Sequence, residues 1–167
     1  FQGEKTIVLH DVLIGEVWLC SGQSNMQFEL QRDEKASSVI PGTNYPKIRL
    51  FKVPRETSLS LVEGMQASWQ ICTPETAKEF SAVGFYFGEQ LYQELKIPVG
   101  LIESSWGGTC AEEWTDHAFL EKDPVFLPIL QRWQETPSSI KDIFVTPPVI
   151  DLWLDDLELI PKDAQTS

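Results

Sequence analysis

The strongest constraint on the fold is a helix pattern that is followed at once by a strand pattern. Residues 82–95 repeat apolar side chains every four positions, which predicts an amphipathic helix, and Ser81 is a suitable N-cap. The expected buried face carries Val83, Phe87, Leu91 and Leu95. The helix must end before Pro98, and residues 98–105 form a run typical of a buried strand. These short links indicate a βαβ unit and therefore a parallel sheet.

Further elements lie on either side of this unit. Residues 15–20 form a short apolar run that ends at Ser21-Gly22, as a buried strand does when it enters a tight turn. Residues 47–53 alternate with period two, which predicts a half-buried strand, and Trp69 lies in a predicted short strand. Two later segments have a helical pattern, residues 111–121 and residues 124–134. The predicted fold class is therefore α/β.

The composition excludes several functional classes. The chain has 167 residues, with 13 Lys plus Arg against 25 Asp plus Glu, so its net charge is −12. An acidic protein repels phosphate backbones, which argues against nucleic acid as a partner. No stretch approaches the roughly 20 apolar residues of a membrane span. Three cysteines, Cys20, Cys72 and Cys110, lack metal-ligand spacing, and we interpret them as small buried hydrophobic residues.

Two loops, each directly after a predicted strand, carry groups suited to chemistry. Residues 21–26 read SGQSNM, and residues 104–109 read SSWGGT. A Ser on a tight turn between a strand and a helix projects its hydroxyl toward solvent, and nearby backbone N–H groups can stabilise an oxyanion. Paired glycines let backbone amides approach a ligand closely. The alternative is that both loops are ordinary turns, since Gly, Ser and Asn are turn residues in any protein.

The amino-acid sequences of these two loops resemble motifs of a known family. Residues 15–26, GEVWLCSGQSNM, resemble the opening motif of the sialate O-acetylesterase family, carbohydrate acetylesterases within the SGNH (GDSL-like) hydrolase superfamily. Residues 98–109, PVGLIESSWGGT, followed by Glu113-Trp114, look like the second signature, and residues 81–88 are similar to the helix before it. The resemblance covers about residues 6–134 and implies a three-layer, flavodoxin-like SGNH fold that is incomplete in this chain, with β-rich terminal segments.

The resemblance also implies roles for individual residues. Ser24 matches the nucleophile, and the backbone amides of Ser24 and of Gly107 or Gly108 match the oxyanion donors. The residues expected to bind the substrate, an O-acetylated sugar, are Gln23, Asn25, Trp106, Thr109, Glu113 and Trp114. Neither a cofactor nor a metal is implied, because acyl transfer needs only a nucleophile, a base and preorganised N–H dipoles. Family members act on glycans in the periplasm, the lysosome or outside the cell, although no signal peptide is visible in this chain.

The chain departs from the family pattern at the general base. The family has a Gln-Gly-Glu type motif and an Asp-x-x-His type motif later in its sequence, and neither occurs here. Asp116-His117 has the wrong spacing, so we interpret His117 as a surface residue, and His10 precedes the first strand. We therefore expect the His base and its Asp to lie outside this chain, on a second polypeptide or a missing segment.

This reading divides the chain into three parts. Residues 1–12 are expected to end a preceding β region, and residues 13–136 to form the N-terminal part of an SGNH hydrolase domain. Residues 137–167 are expected to form a β-rich tail, which is either an edge of the same fold or part of another module. Two alternatives to an esterase stay open. One is a non-catalytic fragment that binds carbohydrate through Trp106 and Trp114. The other is an α/β domain with an unrelated ligand.

Overall fold

The computed structural model describes residue 8, residues 10–56 and residues 64–135, with side chains up to residue 132. Most of the expected β region at residues 1–12, and the whole of the β-rich tail at residues 137–167, lie outside the described residues. The structure therefore bears on the part that the sequence assigns to the hydrolase domain.

A four-stranded sheet forms the centre of the fold. Its strands are β1 (Glu16–Gly22), β2 (Tyr45–Lys52), β3 (Gln70–Cys72) and β4 (Val99–Ser105). They lie in the order β1-β4-β2-β3; β4 runs parallel to both β1 and β2, while β3 pairs antiparallel with β2. The predicted α/β class with a parallel sheet is confirmed. The short strand predicted around Trp69 begins one residue later, at Gln70.

The helices of the described residues are mostly short. They are α1 (Ser24–Gln27), α2 (Ala36–Val39), α3 (Pro74–Ala77), α4 (Ala82–Leu95), α5 (His117–Leu120) and α6 (Leu127–Glu135). The single helix expected over residues 111–121 is wrong, because a 3₁₀ turn at Ala111–Trp114 ends at Thr115 before α5 begins. The Asp116 side chain accepts a hydrogen bond from the Ala118 N–H at 2.7 Å and so starts a new helix instead of continuing the old one.

Helix α4 has the predicted length but buries a different face. The Ser81 hydroxyl caps it by accepting from the Gly84 N–H at 3.0 Å. Its buried residues are Ala82, Gly84, Phe85 and Gly88, whereas Val83, Phe87 and Leu95 of the predicted face are 50%, 40% and 47% exposed. Glycine explains the difference, because a Cβ on Gly88 would lie only 2.4 Å from Leu101 Cδ1 of β4. The helix therefore buries the face that carries Phe85 and its two glycines. Of the predicted face, Leu91 alone packs against the core, half-buried.

This close approach predicts a loss of stability when Gly88 is enlarged. We expect Gly88→Val to lower the free energy of unfolding by about 1–3 kcal/mol, because the buried Leu101 side chain has no room to retreat. Urea unfolding measures the change. The same substitution at Gly42, where an added Cβ meets nothing within 4 Å, is the matched control and should change stability by about 0.5 kcal/mol or less. Equal losses at the two positions would contradict the packing account.

The opposite face of the sheet carries exposed apolar residues in the described part of the chain. Val17 and Leu19 of β1 are 61% and 54% exposed, and Ile71 of β3 is 42% exposed. A cavity of about 640 Å³ on this side is lined by Val17, Ile71, Gly100 and Ile102, together with His10. Among the helices that the structure describes, none is long and apolar enough to cross a membrane.

Candidate active site

Two loops meet at the carboxyl edge of the sheet. The last residues of β1 and β4 are in register, Gly22 beside Ser105, and the Trp106 N–H donates to the Gly22 carbonyl at 3.0 Å. Both chains therefore leave the sheet at the same place and from neighbouring strands. We call residues 23–28 the serine loop and residues 106–109 the glycine loop. Ligand sites of open parallel sheets form at this edge.

The serine loop presents Ser24 to solvent. Gly22 has a φ of +149°, a backbone conformation that favours glycine, and it turns the chain sharply out of β1. Ser24 then begins α1, whose single turn is closed by the Gln27 N–H donating to the Gln23 carbonyl at 2.9 Å. The Ser24 hydroxyl is exposed and is 3.4 Å from Gln23 Oε1, the one acceptor that it meets among the described residues. That long contact leaves the hydroxyl available to an outside reactant.

The glycine loop passes very close to Ser24. A Cβ on Gly107 would lie 3.1 Å from Ser24 Oγ and 3.3 Å from Ser24 Cα, so only glycine fits without displacing the serine. The Gly107 N–H donates to Gln27 Oε1 of the serine loop at 2.5 Å. Sequence reasoning missed Gln27, although its position three residues after Ser24 places both side chains on one face of a helical turn.

The backbone amides divide into engaged and free donors. Because the Gly107 N–H is already bonded to Gln27, it does not point at an open position, and this differs from its expected role as an oxyanion donor. Within the described residues, neither the Gly108 N–H nor the Ser24 N–H has an acceptor. Gly108 is exposed, has a φ of +88°, and an added Cβ there would meet nothing within 4 Å. Of the amides expected to stabilise an oxyanion, those of Ser24 and Gly108 therefore have no acceptor in the described part of the chain.

Side-chain hydrogen bonds fix the two loops to each other. Gln23 Nε2 donates to the Thr109 carbonyl at 2.9 Å, across 86 residues of chain. The Thr109 hydroxyl donates to the Trp106 carbonyl at 2.7 Å and accepts from the Trp114 indole N–H at 2.8 Å. Thr109 is thus buried, with its carbonyl and its hydroxyl both hydrogen-bonded, so it holds the glycine loop in place instead of facing a substrate as the sequence predicts. Of the predicted substrate residues, Asn25 is exposed, and Trp106 and Trp114 are half-buried.

Two carboxylates lie beneath these loops. Glu113 was expected at the substrate, but it is only 7% exposed, and its Oε2 atom has no partner among the described residues. Burial raises the pKa of Glu113, opposed by a hydrogen bond from the Cys110 backbone. Glu103 of β4 is 1% exposed, and burial raises its pKa as well. Neither group was found as a buried carboxylate by sequence reasoning, because burial is a property of the assembled fold.

Two of the three cysteines, Cys20 and Cys72, are too deeply buried to act as nucleophiles. Cys20 of β1 is buried, and its burial, assisted by the nearby Glu103 charge, raises the pKa of its thiol to about 11. Burial likewise raises the pKa of Cys72 to about 12. Both thiols are therefore protonated at neutral pH. Cys110 is exposed, which corrects the expectation that all three cysteines are buried.

Comparison with known proteins identifies the family. Residues 14–144 match the family of carbohydrate esterases described as sialic acid-specific acetylesterases. The chain belongs to this family. Sialate O-acetylesterase of Rattus norvegicus is 40% identical over 125 residues, which are 70% of this chain and 23% of that protein. The human protein of the same name is 40% identical over 119 residues, which are 66% of this chain and 23% of that protein.

A solved structure agrees with the family assignment. The carbohydrate acetylesterase of Xanthomonas citri aligns with a TM-score of 0.64 and 35% identity, over 70% of this chain and 27% of that one. The chain thus spans about a quarter of the length of these relatives. The residues that match the family, 14–144, include both loops described above.

Within the described residues, neither histidine of this family member contacts Ser24. His117 begins α5, is exposed, and has its Nδ1 3.5 Å from Glu121 Oε1, which confirms the prediction of a surface residue. His10 lines the cavity beside Pro98 and Val99, at the amino end of β4. A strand of seven residues separates that end from the loops by about 20 Å. Within the described residues, no group of three or more His, Cys, Asp and Glu side chains could hold a metal ion.

Proposed function

We propose that this chain forms part of an acetylesterase that removes O-acetyl groups from sugars, with Ser24 as its nucleophile. One observation carries the proposal: an exposed hydroxyl at the sheet edge, so close to the glycine loop that a side chain on Gly107 would displace it. The substrate class follows from the relatives, which are named for sialate and carbohydrate acetyl esters. The acetylesterase activity belongs to the proposal, because the chain spans only about a quarter of those proteins.

The proposed reaction has two steps. The Ser24 oxygen attacks the acetyl carbonyl while a general base takes its proton, and a tetrahedral oxyanion forms. The free N–H groups of Ser24 and Gly108 are our candidates for its donors, while the Gly107 N–H keeps Gln27 and the serine loop in place. Collapse breaks the ester bond, and the sugar hydroxyl leaves with the proton. Water then attacks the acetyl-serine and releases acetate.

We propose that the base comes from outside this chain. The sequence contains only two histidines, and the structure gives neither of them a contact with Ser24. The supplier is a second polypeptide or a further segment that packs against the carboxyl edge of the sheet. We propose that Gln23, Asn25, Trp106 and Trp114 border the sugar, and that Thr109 and Glu113 support this border from below. Action on glycans outside the cytosol stays a prediction from family resemblance.

A fluorophosphonate probe tests the proposal, since it labels only serines activated by a base and an oxyanion site. The full-length gene product is treated with the probe, digested and mapped by mass spectrometry. We expect the label on Ser24, and none there after Ser24→Ala. An unlabelled Ser24 in a folded protein that still binds acetylated glycans would overturn the esterase proposal and favour the carbohydrate-binding alternative. Label at a different serine would overturn the nucleophile assignment.

A further inference from the structure

Glu103 is a buried carboxylate to which the proposed reaction gives no role. It lies near the end of β4, two residues before the last residue of that strand, Ser105, and is 1% exposed. Burying a charged group is costly unless hydrogen bonds and charges compensate it. A carboxylate in this position therefore calls for an explanation beyond ordinary core packing, where Leu or Val would serve.

One oxygen of the Glu103 carboxylate, Oε2, bonds to the segment that supports the serine loop. Glu103 Oε2 accepts from the Ser81 N–H at 2.9 Å. On either side of Ser81, the Ala82 N–H donates to the Phe28 carbonyl at 2.8 Å, and the Phe80 carbonyl accepts from the Leu30 N–H at 2.9 Å. The chain leaving α1 is therefore bonded to the two neighbours of Ser81, the residue that Glu103 holds.

A side-chain contact adds to the link between Ser81 and the serine loop. The Ser81 hydroxyl lies 3.3 Å from the sulfur of Met26, which belongs to α1 and is two residues from Ser24. The same hydroxyl caps α4 through the Gly84 N–H. Fixing Ser81 thus fixes both the start of the long helix and the packing of the short one that carries the nucleophile.

The second oxygen holds the start of the glycine loop. Glu103 Oε1 accepts from the Ser105 hydroxyl at 2.9 Å. Ser105 is the last residue of β4 and is followed by Trp106 and Gly107. Its carbonyl also accepts from Arg55 Nε at 3.3 Å. One carboxylate therefore bonds to Ser105, where the glycine loop starts, and to Ser81, whose neighbour Ala82 bonds to the end of the serine loop. The two loops meet where Gly107 approaches Ser24.

The charged groups around Glu103 are consistent with an anchor. Lys52 of β2 and Arg55 after it favour the carboxylate form, while Cys20 of β1 faces it with a protonated thiol. The N-terminal end of α4, at Ser81, adds a favourable backbone dipole. Cations and hydrogen bonds thus offset part of the cost of burial, and the group stays bonded to two separate segments of chain.

We propose that Glu103 is a positioning residue that sets the distance between Ser24 and the glycine loop. It touches no reacting atom and acts through Ser81 on one loop and through Ser105 on the other. The inference rests on the proposed function of Ser24. Glutamine can replace Glu103, because its amide oxygen can accept from the Ser81 N–H and its amide NH₂ group can donate to the Ser105 hydroxyl oxygen. Alanine loses both bonds.

Steady-state kinetics of the full-length gene product with 4-nitrophenyl acetate test this role. We expect Glu103→Ala to lower kcat by about 10-fold or more with KM changed less than about threefold, because misplaced reacting groups cost rate and not binding. Glu103→Gln should keep kcat within about threefold of the parent. The control is Glu89→Ala, which removes another carboxylate that accepts a hydrogen bond, from Tyr45, on the far part of α4. It should lower stability but leave kcat unchanged.

Each outcome decides the matter. A folded Glu103→Ala with unchanged kcat, or a Glu103→Gln as slow as the alanine variant, would overturn the proposal. If Glu103→Ala does not fold, Ser105→Ala removes one of the two hydrogen bonds of Glu103 with little change in volume. This variant should lower kcat by about threefold to tenfold. An unchanged kcat in Ser105→Ala would also overturn the proposal. Activity that survives Ser24→Ala would show instead that Ser24 is not the nucleophile. The two experiments therefore test the role of Ser24 and the role of Glu103 separately.

Discussion

Replacing Ser24 by alanine in the full-length gene product should lower kcat/KM for 4-nitrophenyl acetate by about 10³ or more. The reason is that the acyl-enzyme route needs a nucleophilic oxygen, and loss of a nucleophile leaves only the rate enhancement of the oxyanion donors and of substrate binding. Ser24 is exposed, so the substitution should not unfold the protein. A spectrophotometric assay of 4-nitrophenol release, with circular dichroism as a check on folding, measures the effect.

Ser21 provides the control for that experiment. It lies near the end of β1, three residues before Ser24, and is also exposed. Ser21→Ala should keep kcat/KM within about twofold of the parent, since a surface substitution away from the reacting atoms has little effect. Comparable losses for the two variants, or most of the activity surviving in Ser24→Ala, would remove Ser24 from the role of nucleophile.

Local signals in the sequence account for the parts of the fold that were predicted well. The start of α4 at Ala82 follows the capping residue Ser81, and the helix closes at Lys96, just before Pro98. Parallel pairing of β4 with β1 and β2 agrees with the predicted parallel sheet. The expected βαβ unit is wrong in one respect, because β3, the strand before α4, pairs antiparallel with β2 and so runs opposite to β4. Signals of this kind depend on neighbouring residues only, so they can be read without knowing what packs where.

The buried face of α4 was not predictable in the same way. Val83 and Phe87 form the more apolar stripe, yet Gly84 faces Cys20 of β1 and Gly88 faces Leu101 of β4, because the sheet comes too close for a side chain. Hydrophobic periodicity scores a glycine as neutral, although its missing Cβ decides the packing here. The Phe87 ring instead packs edge-on against Trp18, with their centroids 5.1 Å apart.

The candidate site shows the same division. The motifs located Ser24 and the glycine loop, since turn residues after buried strands are visible in the sequence. They did not show that the Gln27 side chain accepts a hydrogen bond from the Gly107 N–H. Nor did they show that Thr109 is buried, with its hydroxyl donating to Trp106 and accepting from Trp114. The bond between Gln27 and Gly107 joins segments 80 residues apart in the sequence, which only the assembled sheet brings together. The burial of Thr109 is likewise a property of the assembled fold.

The closest of these contacts leads to the second large effect. Gly107→Ala should lower kcat by about 10², because its methyl group would lie 2.9 Å from Gln27 Oε1 and 3.1 Å from Ser24 Oγ. Gln27 and Ser24 belong to the same short helix, so a shift that relieves one contact moves the other atom too. The Ser24 Cα atom, at 3.3 Å, adds a backbone contact that a change of side-chain rotamer does not relieve.

Measuring KM together with kcat distinguishes this displacement from general damage. If the methyl group only moves Ser24 away from its donors, kcat and the rate of fluorophosphonate labelling should fall in parallel, with KM and the unfolding midpoint nearly unchanged. Gly42→Ala, which places the same methyl group in open space, should leave all four quantities as they are in the parent. An active Gly107→Ala would mean that the two loops lie farther apart in the working enzyme, and the proposed oxyanion donors would then have to be sought elsewhere.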